Sequence, residues 1–102
     1  MKCAVTGAQG FVGPHLIAHL EAEGDHVTAL DRHGPAPCDV TDADSVHERL
    51  ADARPEVVYH LAALSHVGES WKSPAAAVRV NAEGTLNVLR AAQDLGVGRV
   101  IV

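Results

Sequence analysis

A glycine-rich turn lies between an apolar strand and a helix at the start of the chain. Residues Thr6-Gly7-Ala8-Gln9-Gly10-Phe11-Val12-Gly13 follow the apolar run Cys3-Ala4-Val5, and helical periodicity begins directly after them. A helix N-terminus presents unpaired N–H groups and a partial positive charge, so it can hold a phosphate without a lysine. We expect Gly7 to make the tight turn, Gly10 to allow close approach, and Gly13 to leave room where helix meets sheet. The segment predicts a site for the pyrophosphate of a dinucleotide.

A second apolar run ends in an acidic residue that suits the same ligand. His26–Leu30 has the composition of a strand, and Asp31 follows it, placed to accept hydrogen bonds from the adenosine ribose hydroxyls. Arg32 leaves both NAD and NADP as candidate cofactors, because an arginine can accommodate the 2′-phosphate of NADP whereas the acid repels it. We expect NAD, with NADP as the alternative. The plainer interpretation is that the glycines loosen a turn and Asp31 is a solvated strand end.

Strands and helices alternate along the whole chain. The nearly apolar run Val57–Leu61 is typical of a central strand that is covered on both faces. The alternation predicts an α/β fold, a Rossmann-type doubly wound parallel sheet with strand order 3-2-1-4-5 in one domain, residues 1–102. The other expected elements are a helix over 10–23, a short strand over 38–40, a helix capped by Thr41, a helix capped by Ser73 that starts at Pro74 and ends near Gly96, and a fifth strand over 99–102.

The predicted helix from Pro74 to Leu95 is apolar around most of its circumference. Projected at about 100° per residue, one apolar face carries Val78, Ala82, Leu86 and Leu89, and a second carries Ala77, Val80, Gly84, Val88, Ala91 and Leu95. One face should cover the sheet, which leaves the other for a helix of a homodimer partner or for a part of the protein absent from this sequence. Asn81 lies within the apolar arc, so we expect its amide to be buried and hydrogen-bonded to loop backbone or to ligand.

Composition excludes two classes of partner. The formal net charge is −5, with eight basic residues scattered among thirteen acidic ones, so there is no positive stripe for nucleic acid. No apolar stretch approaches the length of a membrane span, and the first strand begins without a charged leader. We therefore expect a cytoplasmic protein that binds neither nucleic acid nor membrane.

The cysteine and histidine pattern gives no sign of a metal site. Cys3 and Cys38 lack metal-ligand spacing and are expected to be reduced thiols. His15 and His19 stand four residues apart but lack further ligands, so we expect them to face solvent. His60 ends the central strand, where a structural role and a catalytic role are both open.

Five ordered motifs resemble the NAD-dependent epimerase/dehydratase family, also called extended short-chain dehydrogenases/reductases, over the whole chain. The motifs are Thr6–Gly13, Asp31, Asp39-Val40, His60-Leu61-Ala62-Ala63 and Asn81-Ala82-Glu83-Gly84-Thr85. The segment 64–71 and Pro74 look most similar to GDP-mannose 4,6-dehydratases and GDP-4-keto-6-deoxymannose reductases. The resemblance implies hydride transfer between a nicotinamide cofactor and C4 of a nucleotide-diphosphate sugar.

The resemblance also implies a role for each matching position. Phe11 and Val12 would contact the pyrophosphate, Asp31 and Arg32 the adenosine ribose, Asp39 the adenine amino group, and Val40 would add a backbone contact. Leu61, Ala62, Ala63 and Ser65 would form the region beside the nicotinamide ribose. Further along the chain, Asn81 would brace that region. Ser65 and His66 would border the sugar substrate.

The sequence departs from the family in its catalytic residues. The family places a Ser or Thr after the fifth strand and a Tyr-x-x-x-Lys pair in the following helix, but here Tyr59 is the only tyrosine and has Ala63 four positions later. No catalytic residue is therefore assigned, and the open apolar strand at the end suggests a fragment of a longer enzyme. A stand-alone NAD(P)-binding module is the alternative, and a remnant that binds nothing is a third.

Overall fold

The computed structural model describes residues 1–32, 37–62 and 74–102. Within these ranges a parallel sheet contains four strands, in the order β2-β1-β3-β4. The strands are β1 (Lys2–Thr6), β2 (His26–Leu30), β3 (Val57–His60) and β4 (Arg99–Ile101). Thr6 stands beside Leu30 on one side and His60 on the other, so three strands end level with one another. Ligand sites of open parallel sheets lie at this carboxyl edge.

The helices are α1 (Gly13–Ala22), α2 (Ala43–Ala53), α3 (Pro74–Val78) and α4 (Gly84–Leu95), with a π-helical turn over Arg79–Glu83 that joins the last two. Asp42 caps α2, since its Oδ1 accepts hydrogen bonds from the N–H groups of Asp44 and Ser45 at 3.1 and 3.3 Å. The prediction that Thr41 is the cap was wrong, because the Thr41 hydroxyl donates instead to Asp39. No helix within the described ranges is long and apolar enough to cross a bilayer.

Two apolar clusters, one on each face of the sheet, form the core. Alternate residues of β1 point into different clusters: Ala4 packs with Val58 and Val88, whereas Val5 packs with Leu20. A strand covered on both faces needs apolar side chains at successive positions, as this run has. The sequence prediction of a doubly wound α/β sheet with a central strand over 57–61 is confirmed, with β3 ending at His60.

The predicted outer strand over 38–40 is not formed. Asp31 and Pro37 make an isolated parallel bridge, one residue before the predicted strand. The chain then turns at Asp39, whose carboxylate accepts from both the N–H and the hydroxyl of Thr41, while the Asp39 carbonyl accepts from the N–H of Asp42. An aspartate turn of this kind competes with strand pairing. The sheet order therefore lacks the outermost strand of the predicted 3-2-1-4-5.

The long helix buries one of its two apolar faces. Val88 and Ala91 are buried against α2 and the sheet, whereas Val78, Leu86 and Leu89 are 64%, 45% and 45% exposed. This confirms that one face covers the core and that the other faces outward among the described residues. Association with a second copy through that face stays a prediction.

Candidate functional site

The ends of β1 and β3 approach each other at Gly7. Its φ is +64°, a value that L side chains rarely adopt. A Cβ at this position would lie 2.7 Å from the backbone nitrogen of Ala62 and 2.9 Å from the carbonyl carbon of Leu61. Glycine is therefore required both for the turn and for the close approach of the two strand ends.

The glycine turn leads into α1 at Gly13. The predicted start at Gly10 was three residues early, because residues 10–12 belong to the turn. A Cβ on Gly13 would lie 2.5 Å from the carbonyl carbon of Ala8, so glycine lets the first helical turn pack on the loop before it. Phe11 and Val12 are 92% and 55% exposed, and the first helical N–H groups open beside them.

Asp31 is tied to the same loop. Its Oδ2 accepts a hydrogen bond from the backbone N–H of Gln9 at 2.9 Å, and the N–H of Ala8 donates to the carbonyl of Leu30 at 3.1 Å. These two bonds join the end of β2 to the glycine turn. A carboxylate thus lies at the edge of the loop, with Arg32 as its exposed neighbour.

Asp39 presents a second carboxylate at this edge. Its Oδ1 accepts from the N–H of Thr41 at 3.0 Å and from the Thr41 hydroxyl at 2.7 Å. The Thr41 hydroxyl bond, followed by the backbone bond, lowers the pKa of Asp39 below its usual value, and Arg32 adds to this effect. The side chain of Asn87 holds the next residue, because its Nδ2 donates to the carbonyl of Val40 at 2.8 Å.

These elements surround one cavity of about 340 Å³ at the carboxyl ends of β1, β2 and β3. Ligand sites of proteins commonly have volumes of about 300–1,000 Å³. The cavity brings together eight residues singled out from the sequence, namely Gly7, Gly10, Asp31, Arg32, Asp39, Val40, Leu61 and Ala62, and adds Gln9, Cys38 and Val80. Phe11 and Val12 belong to the turn next to the cavity and Gly13 begins α1, so none of the three is part of the lining.

Three lining residues, Gln9, Cys38 and Val80, were not predicted as site residues from the sequence. Cys38 is a free, buried thiol whose pKa is raised by burial, and its position directly before Asp39 was an available signal. Val80 reaches the cavity from the π-helical turn, which no 3.6-residue periodicity can reveal. The same turn breaks the register of the helical projection, so Asn81 is exposed and the expectation that its amide is buried was wrong.

His60 lies just beneath the cavity, with only 5% of its surface exposed. Its Nδ1 is 2.7 Å from Thr6 Oγ1, and its Nε2 is 3.1 Å from Thr85 Oγ1. Burial lowers the pKa of His60 below its usual value. Both ring nitrogens are engaged within the protein, which favours the structural role over the catalytic one.

Three predicted site residues, Ala63, Ser65 and His66, lie outside the described residues, as does the predicted cap Ser73. Over the parts of the chain that the structure describes, no group of three or more His, Cys, Asp and Glu side chains is placed to hold a metal ion. His15 is exposed and stands edge-on to Phe11, with ring centroids 6.2 Å apart.

Residues 3–102 match the model of the NAD dependent epimerase/dehydratase family. The chain is 39% identical to dTDP-4-dehydrorhamnose reductase of Streptomyces griseus, an alignment that covers 90% of this chain and 29% of that protein. It is 38% identical to GDP-6-deoxy-D-mannose reductase of Pseudomonas aeruginosa, again over 90% of this chain and 29% of the relative.

Solved structures agree with the sequence comparison. The structure is similar to the Thermus thermophilus UDP-glucose 4-epimerase in complex with NAD, with a TM-score of 0.91 and 32% identity over 98% of this chain and 36% of that one. Complexes with NAD and a complex with NADP are both found among the similar structures.

The chain thus spans about a third of the length of the relatives that it matches. The matched range, residues 3–102, contains the glycine turn, the acid after β2 and the aspartate at the cavity edge. On the family model, the sequence relatives and the shared Rossmann fold, this chain belongs to the NAD dependent epimerase/dehydratase family.

Proposed function

We propose that the cavity binds the adenosine diphosphate part of NAD, in a protein that epimerises, dehydrates or reduces a nucleotide-diphosphate sugar. The observation that carries the proposal is the convergence of the glycine turn, Asp31 and Asp39 on one cavity at the carboxyl edge of the sheet. This edge is where open parallel sheets bind nucleotides. The relatives named above act on nucleotide sugars, and the family is NAD dependent.

The glycine turn fits a pyrophosphate because its glycines expose main-chain atoms that side chains would otherwise cover. Side chains at Gly7 or Gly13 would clash with neighbouring backbone, so the turn keeps a bare surface beside the first N–H groups of α1. These groups and the partial positive charge of the helix end would hold the pyrophosphate. We assign Gly10, Phe11 and Val12 to this contact through their main chains.

Two carboxylates, those of Asp31 and Asp39, suit the adenosine part. One oxygen of Asp31 accepts from Gln9, and we assign the other oxygen, Oδ1, to the ribose hydroxyls. Asp39 keeps Oδ2 for the adenine amino group, since Oδ1 takes both bonds from Thr41. The bonds from Thr41 lower the pKa of Asp39 and so favour its charged form, which accepts hydrogen bonds and donates none. A carboxylate at Asp31 favours NAD over NADP, whose 2′-phosphate would face it, although Arg32 beside it leaves NADP as the alternative.

The remaining assignments lie beside these two. Val40 would contribute a backbone contact to adenine, and Leu61, Ala62, Ala63 and Ser65 would line the way to the nicotinamide ribose, with Asn81 beside them. Ser65 and His66 would border the sugar. The bound nicotinamide would supply the hydride acceptor or donor for C4 of the sugar, and this chain would bind and orient it.

Filling the turn with a side chain tests cofactor binding. Gly10→Leu places a side chain in the cavity lining, where its Cβ would meet only the carbonyl oxygen of Gly7, at 3.2 Å. Gly98→Leu is a matched control, because the Cβ there would meet only the carbonyl oxygen of Glu56, at 3.3 Å, at the opposite edge of the sheet. We expect Gly10→Leu to abolish NAD binding measured by calorimetry and Gly98→Leu to retain it. Equal affinities for NAD in the two variants would refute this site.

The sugar reaction needs a separate assay. A protein of full natural length that contains residues 1–102 is purified and incubated with NAD and a UDP-, dTDP- or GDP-linked hexose, and the sugar products are identified by NMR. Conversion of one of them at C4, abolished by Gly10→Leu, is the expected result. Cofactor binding without conversion of any of these sugars would support a binding module instead.

A further inference from the structure

A chain of hydrogen bonds runs beneath the cavity from β1 to the π-helical turn. The N–H groups of Leu61 and Ala62 lie 3.1 and 3.2 Å from Thr6 Oγ1, and this oxygen is 2.7 Å from His60 Nδ1. On the far side of the ring, His60 Nε2 is 3.1 Å from Thr85 Oγ1, which is in turn 2.6 Å from the carbonyl oxygen of Asn81. The network therefore links three separate segments of the fold through one buried imidazole.

Each hydrogen in this network has a defined position. A carbonyl cannot donate, so the single hydroxyl hydrogen of Thr85 points to Asn81, and Thr85 Oγ1 must accept from His60 Nε2–H. Thr6 Oγ1 already accepts from two backbone N–H groups, so its own hydrogen points to His60 Nδ1. His60 is thereby fixed as the neutral imidazole with its hydrogen on Nε2.

A second proton on this ring has no free acceptor. At Nδ1 it would face the hydroxyl hydrogen of Thr6, and that oxygen already accepts from the N–H of Ala62 and from the N–H of Leu61, which it shares with the Thr6 carbonyl oxygen at 3.2 Å. His60 is buried, so water cannot take over the role of acceptor. The imidazole is therefore held neutral by the donors and acceptors around it, and it is not placed to exchange protons with a ligand.

Both ends of the network reach the wall of the cavity. Leu61 and Ala62 line the cavity from the end of β3, and Val80, the residue before Asn81, lines it from the π-helical turn. In this turn the N–H of Gly84 donates to the carbonyl of Arg79, five residues earlier, rather than four as in an α-helix. A wider turn of this kind is kept where tertiary contacts support it, and Thr85 supplies one through His60, while its hydroxyl donates to the Asn81 carbonyl four residues back along the chain.

We propose that His60 is a positioning residue that, as the neutral Nε2–H imidazole, fixes the π-helical wall of the cavity against the wall formed by Leu61 and Ala62. This inference rests on the proposed function, since the walls matter to the adenosine diphosphate part of the cofactor. It adds the residue that sets the spacing between two walls contributed by distant parts of the sequence. His60 itself does not touch the cofactor.

The first test reads the tautomer directly in the wild-type protein. Nitrogen-15 NMR of the histidine rings distinguishes Nε2–H, Nδ1–H and the doubly protonated ring. The proposal requires the Nε2–H form for His60, unchanged between about pH 5 and pH 8, the range in which a histidine normally changes its charge. An Nδ1–H ring, or a charged ring at neutral pH, would overturn it without the need for any variant.

The second test cuts the network with little change of shape. Thr85→Val removes the hydroxyl that joins His60 to Asn81, whereas His60→Asn keeps an acceptor near the position of Nδ1 and loses the link to Thr85. Thr28→Val, on β2 and away from the cavity lining, is the control. The affinity for ADP-ribose should fall about tenfold, equivalent to about 1.4 kcal/mol, in each folded network variant and stay unchanged in the control.

The outcomes separate this inference from the proposed function. If the wild type binds ADP-ribose and folded Thr85→Val binds it equally well, the positioning role is overturned and the cofactor site stands. If the wild type does not bind ADP-ribose, the proposed function fails, and the positioning role fails with it.

Discussion

The turn at Gly7 allows a stability prediction with an internal control. Gly7→Ala places a methyl group 2.7 Å from the backbone nitrogen of Ala62, on a residue with φ of +64°. Gly96→Ala adds the same methyl group at a φ of +71°, but nothing lies within 4 Å of it. The two substitutions therefore share the backbone cost and differ in the clash.

The magnitude follows from these two contributions. An alanine in the left-handed region costs about 1–2 kcal/mol, which both variants should lose. The clash at Gly7 involves main-chain atoms of paired strands, which no change of rotamer relieves, and overpacking of this kind costs about 1–3 kcal/mol more. We expect the free energy of unfolding of Gly7→Ala to be lower than that of Gly96→Ala by this overpacking cost, about 1–3 kcal/mol.

Urea denaturation of both variants, followed by circular dichroism, measures the two free energies of unfolding. In a domain of this size, each 1 kcal/mol corresponds to about 4–8 °C in Tm, so thermal scans give an independent reading. Equal losses in the two variants would refute the reasoning, because they would mean that the strand ends are not in contact at Gly7.

Three further predictions concern the cavity and its supports. Asp31→Ala should weaken NAD binding by about tenfold or more, the value of a hydrogen bond to a charged group, and should weaken NADP binding less. Equal losses of affinity for NAD and NADP, measured by calorimetry, would contradict the ribose assignment. Gly84→Ala puts a Cβ 2.7 Å from Val40 Cγ2, a clash that costs about 1–3 kcal/mol and outweighs the gain of about 1 kcal/mol in helix propensity. Adding Val40→Ala to this variant should recover stability against urea. A Gly84→Ala variant more stable than the wild type would contradict the contact. The pKa of His60 is lowered from its usual 6.5, so the unfolded chain binds more protons at this site. The contribution of His60 to the free energy of unfolding should therefore be full above pH 6.5 and decrease as the pH falls below that value. Urea denaturation at a series of pH values should show that His60→Asn removes this part of the pH dependence, and an unchanged pH dependence would contradict the assignment.

The sheet and the glycine turn were predictable because their determinants are local. Successive apolar residues identify β1 and β3 as strands covered on both faces, and in the structure both strands have side chains in each of the two apolar clusters. The turn at Gly7 and the acid at Asp31 lie within one strand–turn–helix–strand unit. Residues that act within such a unit leave their pattern in the sequence.

The missing outer strand shows where a local pattern misleads. Cys38 and Val40 are apolar residues that suit a strand, but Asp39 between them bonds to Thr41 and forms a turn at the same backbone. The aspartate was recognised as a candidate for adenine binding, although its effect on the backbone was not. The competing hydrogen bonds decide the conformation at this point.

The π-helical turn could not be found from periodicity. It depends on contacts between distant residues: Thr85 with His60, and Gly84 with Val40. A projection at fixed angle therefore placed Asn81 in the buried arc and overlooked Val80 as a lining residue. A helix that is remote in the sequence can form one wall of a site, and such a wall can be identified only when the tertiary contacts are known.

The most direct test of the account is a calorimetric titration of the purified protein with NAD and with NADP, combined with thermal unfolding in their presence. A dinucleotide site in this cavity should give saturable binding of NAD, weaker binding of NADP, and a higher Tm, with a stabilisation of about 2.7 kcal/mol when the ligand is present at 100 times its Kd. A folded protein that binds neither dinucleotide at concentrations up to about 1 mM, the upper end of usual cofactor and substrate affinities, would contradict it.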